Sequence, residues 1–228
     1  MSKNLVIAID GPAGSGKSTI AKFLATKIGA TYIDTGAMYR AITFKALSGG
    51  FIHDIHKIIE FSKSAKIKLT YENGRTRVFV DSEEVTDFIR SSEVNDNVSE
   101  VSRIPEVRAE LVKIQQKMGQ TETVVAEGRD TTTVVFPNAD FKIYLVASID
   151  VRAERRLAEY LENGVQISIE EVKENLAKRD KIDSGREVSP LKKADDAYQI
   201  DTSSLSINQE LEIILDRINK IKISKQIK

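Results

Sequence analysis

An apolar run, Leu5-Val6-Ile7-Ala8-Ile9, leads through Asp10 directly into Gly11-Pro12-Ala13-Gly14-Ser15-Gly16-Lys17-Ser18. A buried strand that must end in a glycine-rich loop and restart as a helix leaves few architectures open. Gly followed after four residues by Gly-Lys-Ser/Thr is the phosphate-cradling loop pattern. Its glycines let the backbone curl so that successive N–H groups point inward at phosphate oxygens. The helix opening at Lys17 adds the positive end of its dipole. The segment Gly11, Pro12, Ala13, Gly14, Ser15, Gly16, Lys17, Ser18 and Thr19 is therefore expected to hold a nucleoside triphosphate. Lys17 would reach the β- and γ-phosphates, and the Ser18 hydroxyl would coordinate Mg²⁺ directly. A glycine-rich turn that binds nothing is the alternative, and the strand before and helix after weigh against it.

Four further segments read as buried parallel strands: 30–34, 123–127, 141–146 and 197–201, each short and rich in β-branched or aromatic residues. Helical patterns cover 17–28, 36–48, 104–118, 150–162, 168–180 and 207–221. The alternation predicts an α/β fold, a five-stranded parallel sheet with helices on both faces. Ligands bind beyond the carboxyl ends of such strands, here residues 10–18, 34–40 and 127–130. From about 63 to 103 the alternation breaks. Segments 66–71 and 76–81 alternate in polarity around Glu72-Asn73-Gly74-Arg75, a hairpin with one wet face. Residues 92–102 read as polar helix or loop, and Glu83-Glu84 as a solvated turn or helix start. The whole stretch is expected to be a subdomain inserted into one domain spanning 1–228. The last helix carries Ile207, Leu211, Ile214, Leu215, Ile218 and Ile221 as a core-facing stripe.

Lys plus Arg and Asp plus Glu both number 34, so no excess charge argues for nucleic acid or a membrane surface. The absence of cysteine removes disulfides, thiolate metal sites and cysteine nucleophiles together. Met1-Ser2-Lys3-Asn4 passes straight into the first strand, leaving no room for a signal peptide, and no apolar stretch approaches the roughly 20 residues of a membrane helix. A soluble cytoplasmic protein, acting as a monomer on small molecules, is the expectation.

Arginines recur near strand ends and loops: Arg40, Arg108, Arg129, the Arg152-Arg155-Arg156 group, Arg179 and Arg186. Any one of them could be a solvated surface residue; as a set at the ligand-side ends they suggest more. A phosphate-monoester acceptor has a second pKa near 6, so its oxygens are largely ionised at neutral pH and need no general base. The difficulty is bringing two phosphate groups together, which arginines and Mg²⁺ ease by screening charge. A GTPase would carry a guanine-reading Asn-Lys-x-Asp segment, which is absent.

Ile9–Ser18, Asp34-Thr35-Gly36-Ala37-Met38-Tyr39-Arg40, Glu127-Gly128-Arg129-Asp130 with Thr133-Val134-Val135-Phe136-Pro137, Arg179-Asp180 through Arg186, Ser189-Pro190-Leu191 and Asp201-Thr202 together resemble the bacterial cytidylate kinase family, over essentially the whole chain. The resemblance implies a P-loop kinase core that transfers the γ-phosphoryl of ATP, with Mg²⁺, to CMP or dCMP. It places the monophosphate-binding insertion at about 63–103 and a short lid at about 152–166. It implies that Thr35, Arg40 and Arg129 hold the acceptor phosphate, and that Ser99, Arg108 and Asp130 read the cytosine. Arg179, Asp183 and Arg186 would contact ribose and phosphate, and Arg152, Arg155 and Arg156 would belong to the lid. Lys17, Arg129, Arg155 and Arg179 form the implied catalytic set. A carboxylate suits the exocyclic amine of cytosine, which uracil lacks.

Two positions depart from the family pattern. Glu127 stands where aspartate is usual, shifting a metal-shell or arginine-orienting contact; Ile182 stands in a segment often richer in arginine, so a phosphate contact is lost or passes to Lys181. Asp34 would contact Mg²⁺ through water, orient Arg40 or serve structure alone. Asp10 would cap the phosphate loop or touch Mg²⁺. His53 and His56, on a helix or loop, read as surface or packing residues rather than metal ligands. Rival readings are a UMP, AMP or shikimate kinase on the same core, or a nucleotide-dependent switch or RNA-associated protein; acceptor-stimulated ADP release separates them.

Overall fold

The computed structural model describes residues 4–72, 75–162 and 164–226. Five strands form one parallel sheet: β1 (Val6–Asp10), β2 (Thr31–Asp34), β6 (Val124–Gly128), β7 (Phe141–Val146) and β8 (Tyr198–Asp201), in the order β2-β6-β1-β7-β8. The three strands that interrupt this numbering, β3 (Ile67–Glu72), β4 (Arg75–Val80) and β5 (Glu83–Glu84), make a separate antiparallel sheet. The helices are α1 (Lys17–Ile28), α2 (Thr35–Ser48), α3 (Ile55–Ser64), α4 (Ser92–Val101), α5 (Pro105–Thr121), α6 (Ile149–Glu162), α7 (Ile169–Ser184) and α8 (Ile207–Gln226).

Period-2 alternation along the central strands divides the core into two. Ala8, Ile33, Val124 and Ala126 face a cluster that takes in α2, α3, α5 and the small sheet. Their neighbours Ile7, Ile9, Tyr32 and Val125 face the opposite cluster under α1 and α8. With apolar residues on both faces, strands such as β6 read as continuous hydrophobic runs because both sides are covered. A third, smaller cluster of Ala153, Val172 and Leu176 joins α6 to α7, and its one residue from the phosphate loop is Ala13.

The expected α/β sheet is present, and β3 pairs with β4 as the hairpin anticipated from polarity, burying Ile67, Leu69, Val78 and Val80 and leaving Lys66 and Lys68 exposed. The turn at Asn73-Gly74 lies outside the described residues, as does the Ile221 side chain of the final stripe. Glu83-Glu84 is neither turn nor helix start but the short third strand, where exposed Glu83 pairs with Lys45 at 2.5 Å and Glu84 with Arg77 at 2.5 Å. Residues 92–101 resolve as helix: Val94, Val98 and Val101 recur at helical spacing and are buried, and Ser91 caps the first turn by accepting from Val94 N–H. His56 lies on α3, which is capped by Asp54, and no group of three potential ligands that could hold a metal forms among the described residues. No helix of the described residues is long and apolar enough to cross a membrane.

Candidate active site

The carboxyl ends of β1, β2 and β6 open onto a cleft of about 1130 Å³, whose floor is the phosphate loop. The loop has the backbone its glycines demand: Gly14 and Gly16 hold φ of 77° and 88°, left-handed values that side chains resist. Gly16 also caps α1, so the helix dipole and its unpaired N–H groups point into the cleft. Gly14, Gly16, Lys17, Ser18 and Thr19 line the cleft with Ala13, whereas Gly11, Pro12 and Ser15 sit behind it as the loop's own support. Lys17 is buried and donates to the Pro12 carbonyl at 2.7 Å. Burial, then repulsion from Arg129, brings its pKa down to about 7.

Beside Lys17, Ser18 donates from Oγ to Glu127 Oε1 at 2.7 Å, and the Tyr32 hydroxyl donates to the same oxygen at 3.1 Å. Glu127 thus engages the loop serine, with no hydrogen bond to an arginine among the described residues. Asp34 ends β2 and uses one oxygen to cap α2, accepting from Ala37 N–H at 2.9 Å; the other receives Arg90 at 3.0 Å. Asp10 spends its carboxylate on the segment after β6 rather than on capping the phosphate loop. It is wholly buried and accepts from Thr131 N–H, Thr132 N–H and the Thr132 hydroxyl at 2.6–2.9 Å. Those bonds pin a π-turn over Thr131–Val135, and through it the two residues before it, Arg129 and Asp130. Burial pushes the Asp10 carboxyl up, against its three hydrogen bonds.

Across the cleft, α7 presents Arg179 and Asp183, and the loop after its Gly185 cap presents Arg186. Asp183 accepts from Arg129 Nε at 2.8 Å and from Arg186. Burial opposes its charge, but those two guanidiniums hold its carboxyl below the usual range. Arg186 donates also to the Ser102 hydroxyl at 2.9 Å. Arg40 and Arg179 differ from these in forming no ion pair among the described residues; the Nε of each, like that of Arg186, is buried without a partner. Burial disfavours both charges; at Arg40 attraction from Asp34 opposes it while Arg90 and Arg129 add to it, and at Arg179 repulsion from Arg129 and Arg40 outweighs attraction from Asp183, so that its pKa falls to about 10. The site holds more buried positive charge than its own carboxylates neutralise. Thr35 closes one side, its hydroxyl donating to the Glu127 carbonyl at 2.7 Å, and the Thr35 and Thr131 hydroxyls stand where any side chain at Gly128 would go.

Ser99 and Asp130 line the far end of the cleft, but Arg108 does not. It lies behind Asp130, ion-paired to it, donating to the Ser102 carbonyl at 2.9 Å and stacked 5.1 Å from the Tyr39 ring. Tyr39 lines the cleft with a buried hydroxyl that has no partner. Of the three arginines expected on the lid, the first stands apart from the cleft. Arg152 is buried beneath the phosphate loop, bonded to Ala147, Ala13 and Asp180. Arg155 does line the cleft, yet both its Nη atoms are held by Thr202, at 3.0 and 2.8 Å, while Arg156 pairs with Glu159 at 2.6 Å. Lys181 is exposed and does not line the cleft.

Sequence reasoning missed Arg90, which no pattern marks, and Glu210. Glu210 sits on the α8 stripe, three residues after Ile207 and four before Ile214, and a carboxylate there was a readable irregularity. It is 2% exposed, lines the cleft near Gly16, leaves Oε2 without a partner, and is pushed by burial to a pKa of about 7.

Residues 7–220 match the family described as Cytidylate kinase. A cytidylate kinase of Streptococcus suis (strain 05ZYH33) is 48% identical over 221 residues, covering 96% of this chain and 98% of that protein. One of Bacillus subtilis (strain 168) is 47% identical over 221 residues, covering 96% and 99%. A crystal structure of an uncharacterized protein from Eubacterium ventriosum ATCC 27560 shares the fold, with a TM-score of 0.53 and 12% identity, covering 95% of this chain and 99% of that one.

Proposed function

The chain belongs to the cytidylate kinase family, and from that membership we propose that it transfers the γ-phosphoryl of ATP to CMP or dCMP, giving ADP and CDP or dCDP. The observation that carries the reading is the cluster of buried cations in the cleft: Arg40 and Arg179 form no ion pair among the described residues, and burial lowers the pKa of both and of Lys17. Such a site is completed by phosphate on both sides. In this reading the loop from Gly11 to Thr19 holds ATP, with Lys17 on its terminal phosphates. Thr35, Arg40, Arg129, Arg179 and Arg186 receive the acceptor phosphate and ribose, and Asp183 keeps Arg129 and Arg186 aimed while accepting from a sugar hydroxyl. Asp130, backed by Arg108 and flanked by Ser99, accepts from the cytosine amine.

An ionised acceptor oxygen attacks the γ-phosphorus, the bond to the β,γ-bridging oxygen breaks, and ADP leaves with the electron pair. No proton needs removing, so the work left to the protein is alignment and charge stabilisation by Lys17, Arg129, Arg179 and Arg155, the last after release from Thr202. The hydroxyl–carboxylate pair of Ser18 and Glu127 suits Mg²⁺, which takes few protein oxygens and fills its shell from phosphates and water. Ser18 and Glu127 would hold it, with Asp34 acting through water, and when bound it neutralises triphosphate charge.

The same reading makes residues 1–228 one domain, with an inserted monophosphate-binding region at about 63–103 and a lid within about 152–166 that begins beyond the buried Arg152. It also makes the protein a cytoplasmic monomer acting on free nucleotides; the equal 34 basic and 34 acidic residues leave no excess charge to attract nucleic acid. ADP release from Mg-ATP with CMP, dCMP, UMP, AMP, GMP or shikimate tests it. Stimulation by CMP and dCMP with formation of the diphosphate is expected. Preference for another acceptor, or hydrolysis that no acceptor stimulates, overturns it.

A further inference from the structure

Arg152 is buried to 7% exposure and is not among the residues lining the cleft, yet its side chain bonds directly to the phosphate loop. Its Nη1 donates to the Ala13 carbonyl at 3.1 Å and to Asp180 Oδ2 at 2.7 Å, while Nε donates to the Ala147 carbonyl at 3.1 Å. Gly14 rests on its backbone, so that a Cβ there would come within 3.0 Å of the Arg152 carbonyl oxygen. Asp180 belongs to α7, between Arg179 and Asp183, both of which face the cleft. Ala13 is also the loop's contribution to the small apolar cluster that holds α6 against α7. One side chain therefore ties the loop that would carry ATP to the helix that would carry the acceptor-side cations.

We propose that Arg152 is a positioning residue, which sets the phosphate loop and the Arg179–Asp183 face of α7 in one fixed register through Asp180. The guanidinium suits this because its planar fork directs Nε and Nη1 at set angles to three acceptors on separate elements; a lysine has one nitrogen and no such fork. When phosphate settles in the loop, displacement of Ala13 is passed to α7 and brings Arg179 toward the transferring group. The kinetic part of this rests on the phosphoryl-transfer reading, but the mechanical part does not.

The experiment compares wild type with R152Q, R152K and D180N. Amide hydrogen exchange of α7 is followed with and without Mg-ATP, no acceptor being added. In wild type, ATP slows exchange over 176–184; in all three variants that response is lost while residues 13–18 remain protected. With CMP present, kcat of R152Q falls by roughly 10- to 100-fold, the scale of a misplacement of about 1 Å, and the separately measured Kd values for ATP and CMP stay within about threefold. The R152Q/D180N double variant is no worse than R152Q, as expected of groups acting as a unit. A merely structural role would lower thermal stability or weaken ATP binding itself, without separating kcat from Kd. If R152Q does not fold, D180N, which leaves the contacts to Ala13 and Ala147, carries the test. An α7 response unchanged in the variants, or absent from wild type, overturns the proposal. A wild type that phosphorylates no cytidine nucleotide overturns the functional reading instead, and the exchange measurement still decides this one.

Discussion

Replacing Asp130 with asparagine separates two jobs that one carboxylate performs. Its side chain and that of Arg108 are only 5% and 3% exposed, so the pair is a buried one. Removing one partner of a buried ion pair costs about 3–5 kcal/mol, chiefly because the other charge is left without compensation. Arg108 retains the Ser102 carbonyl and the Tyr39 ring, which places the expected loss near the lower end, about 3 kcal/mol. For a chain of this size that is a fall in Tm of roughly 6–12 °C. Independently, a hydrogen bond to a charged acceptor contributes about 1.5–3 kcal/mol, so kcat/KM for CMP should fall by roughly 10- to 150-fold. The KM for ATP should stay within about twofold, since the phosphate loop is untouched. The amide introduced can donate to the 4-oxo group of uracil, so the UMP-to-CMP ratio should rise. An Arg108→Met/Asp130→Leu double variant removes both charges and should recover much of the stability while leaving CMP recognition lost. Calorimetric melting with steady-state assays on CMP, UMP and ATP makes the comparison. Equal losses for CMP and ATP would remove Asp130 from base recognition. A double variant as unstable as the sum of the single ones would refute the argument from the unpaired charge.

Lys17→Met should lower turnover by at least ~100-fold. Because burial lowers the pKa of Lys17 to about 7 and phosphate oxygens favour its protonated form, ATP binding to wild type at pH 7.5 should draw a proton onto Lys17. Calorimetry in buffers of different ionisation enthalpy reads this, and the variant should show no such uptake. Glu210 has its folded pKa raised from 4.5 to about 7, so the folded chain keeps the proton longer and stability is lost as pH rises through that interval. Glu210→Gln should therefore be more stable than wild type at pH 8, by up to about 2–3 kcal/mol, with the gap closing at pH 5; denaturant unfolding at the two pH values checks the sign. Glu127→Gln leaves the Ser18 and Tyr32 hydroxyls with a neutral acceptor, and the Mg²⁺ concentration for half-maximal rate should rise several-fold, about 3- to 10-fold. An unchanged Mg²⁺ dependence would take Glu127 out of the metal site.

What could be read without coordinates was local. The strand, glycine loop and helix of residues 5–28 follow one another in sequence, and each turn of the argument needs only neighbouring residues. The β3–β4 hairpin was legible for the same reason, since polarity alternates along each arm. Helix α4 was half legible: Val94, Val98 and Val101 have helical spacing, but the polar residues around them hid it. Glu83-Glu84 was misjudged because a two-residue strand has no pattern of its own and exists only through pairing with Phe79 and Val80.

Charge pairing was not legible at all. The sequence by itself determined that a phosphate-cradling loop follows the first strand, and that Arg40, Arg129, Arg179 and Arg186 stand near the ligand-side ends of the elements. Only the tertiary structure decided which of them spend their charge inside the protein. Arg129 meets Asp183 across 54 positions, Arg108 meets Asp130 across 22, and Arg152 turns away from the cleft to reach Ala13 across 139. Those meetings depend on the strand order β2-β6-β1-β7-β8 and on how α6 and α7 pack around Ala13, neither of which leaves a periodic trace in the chain. Arg40 and Arg179 form no ion pair among the described residues, and a buried cation not paired within the protein is stabilised by an anionic ligand.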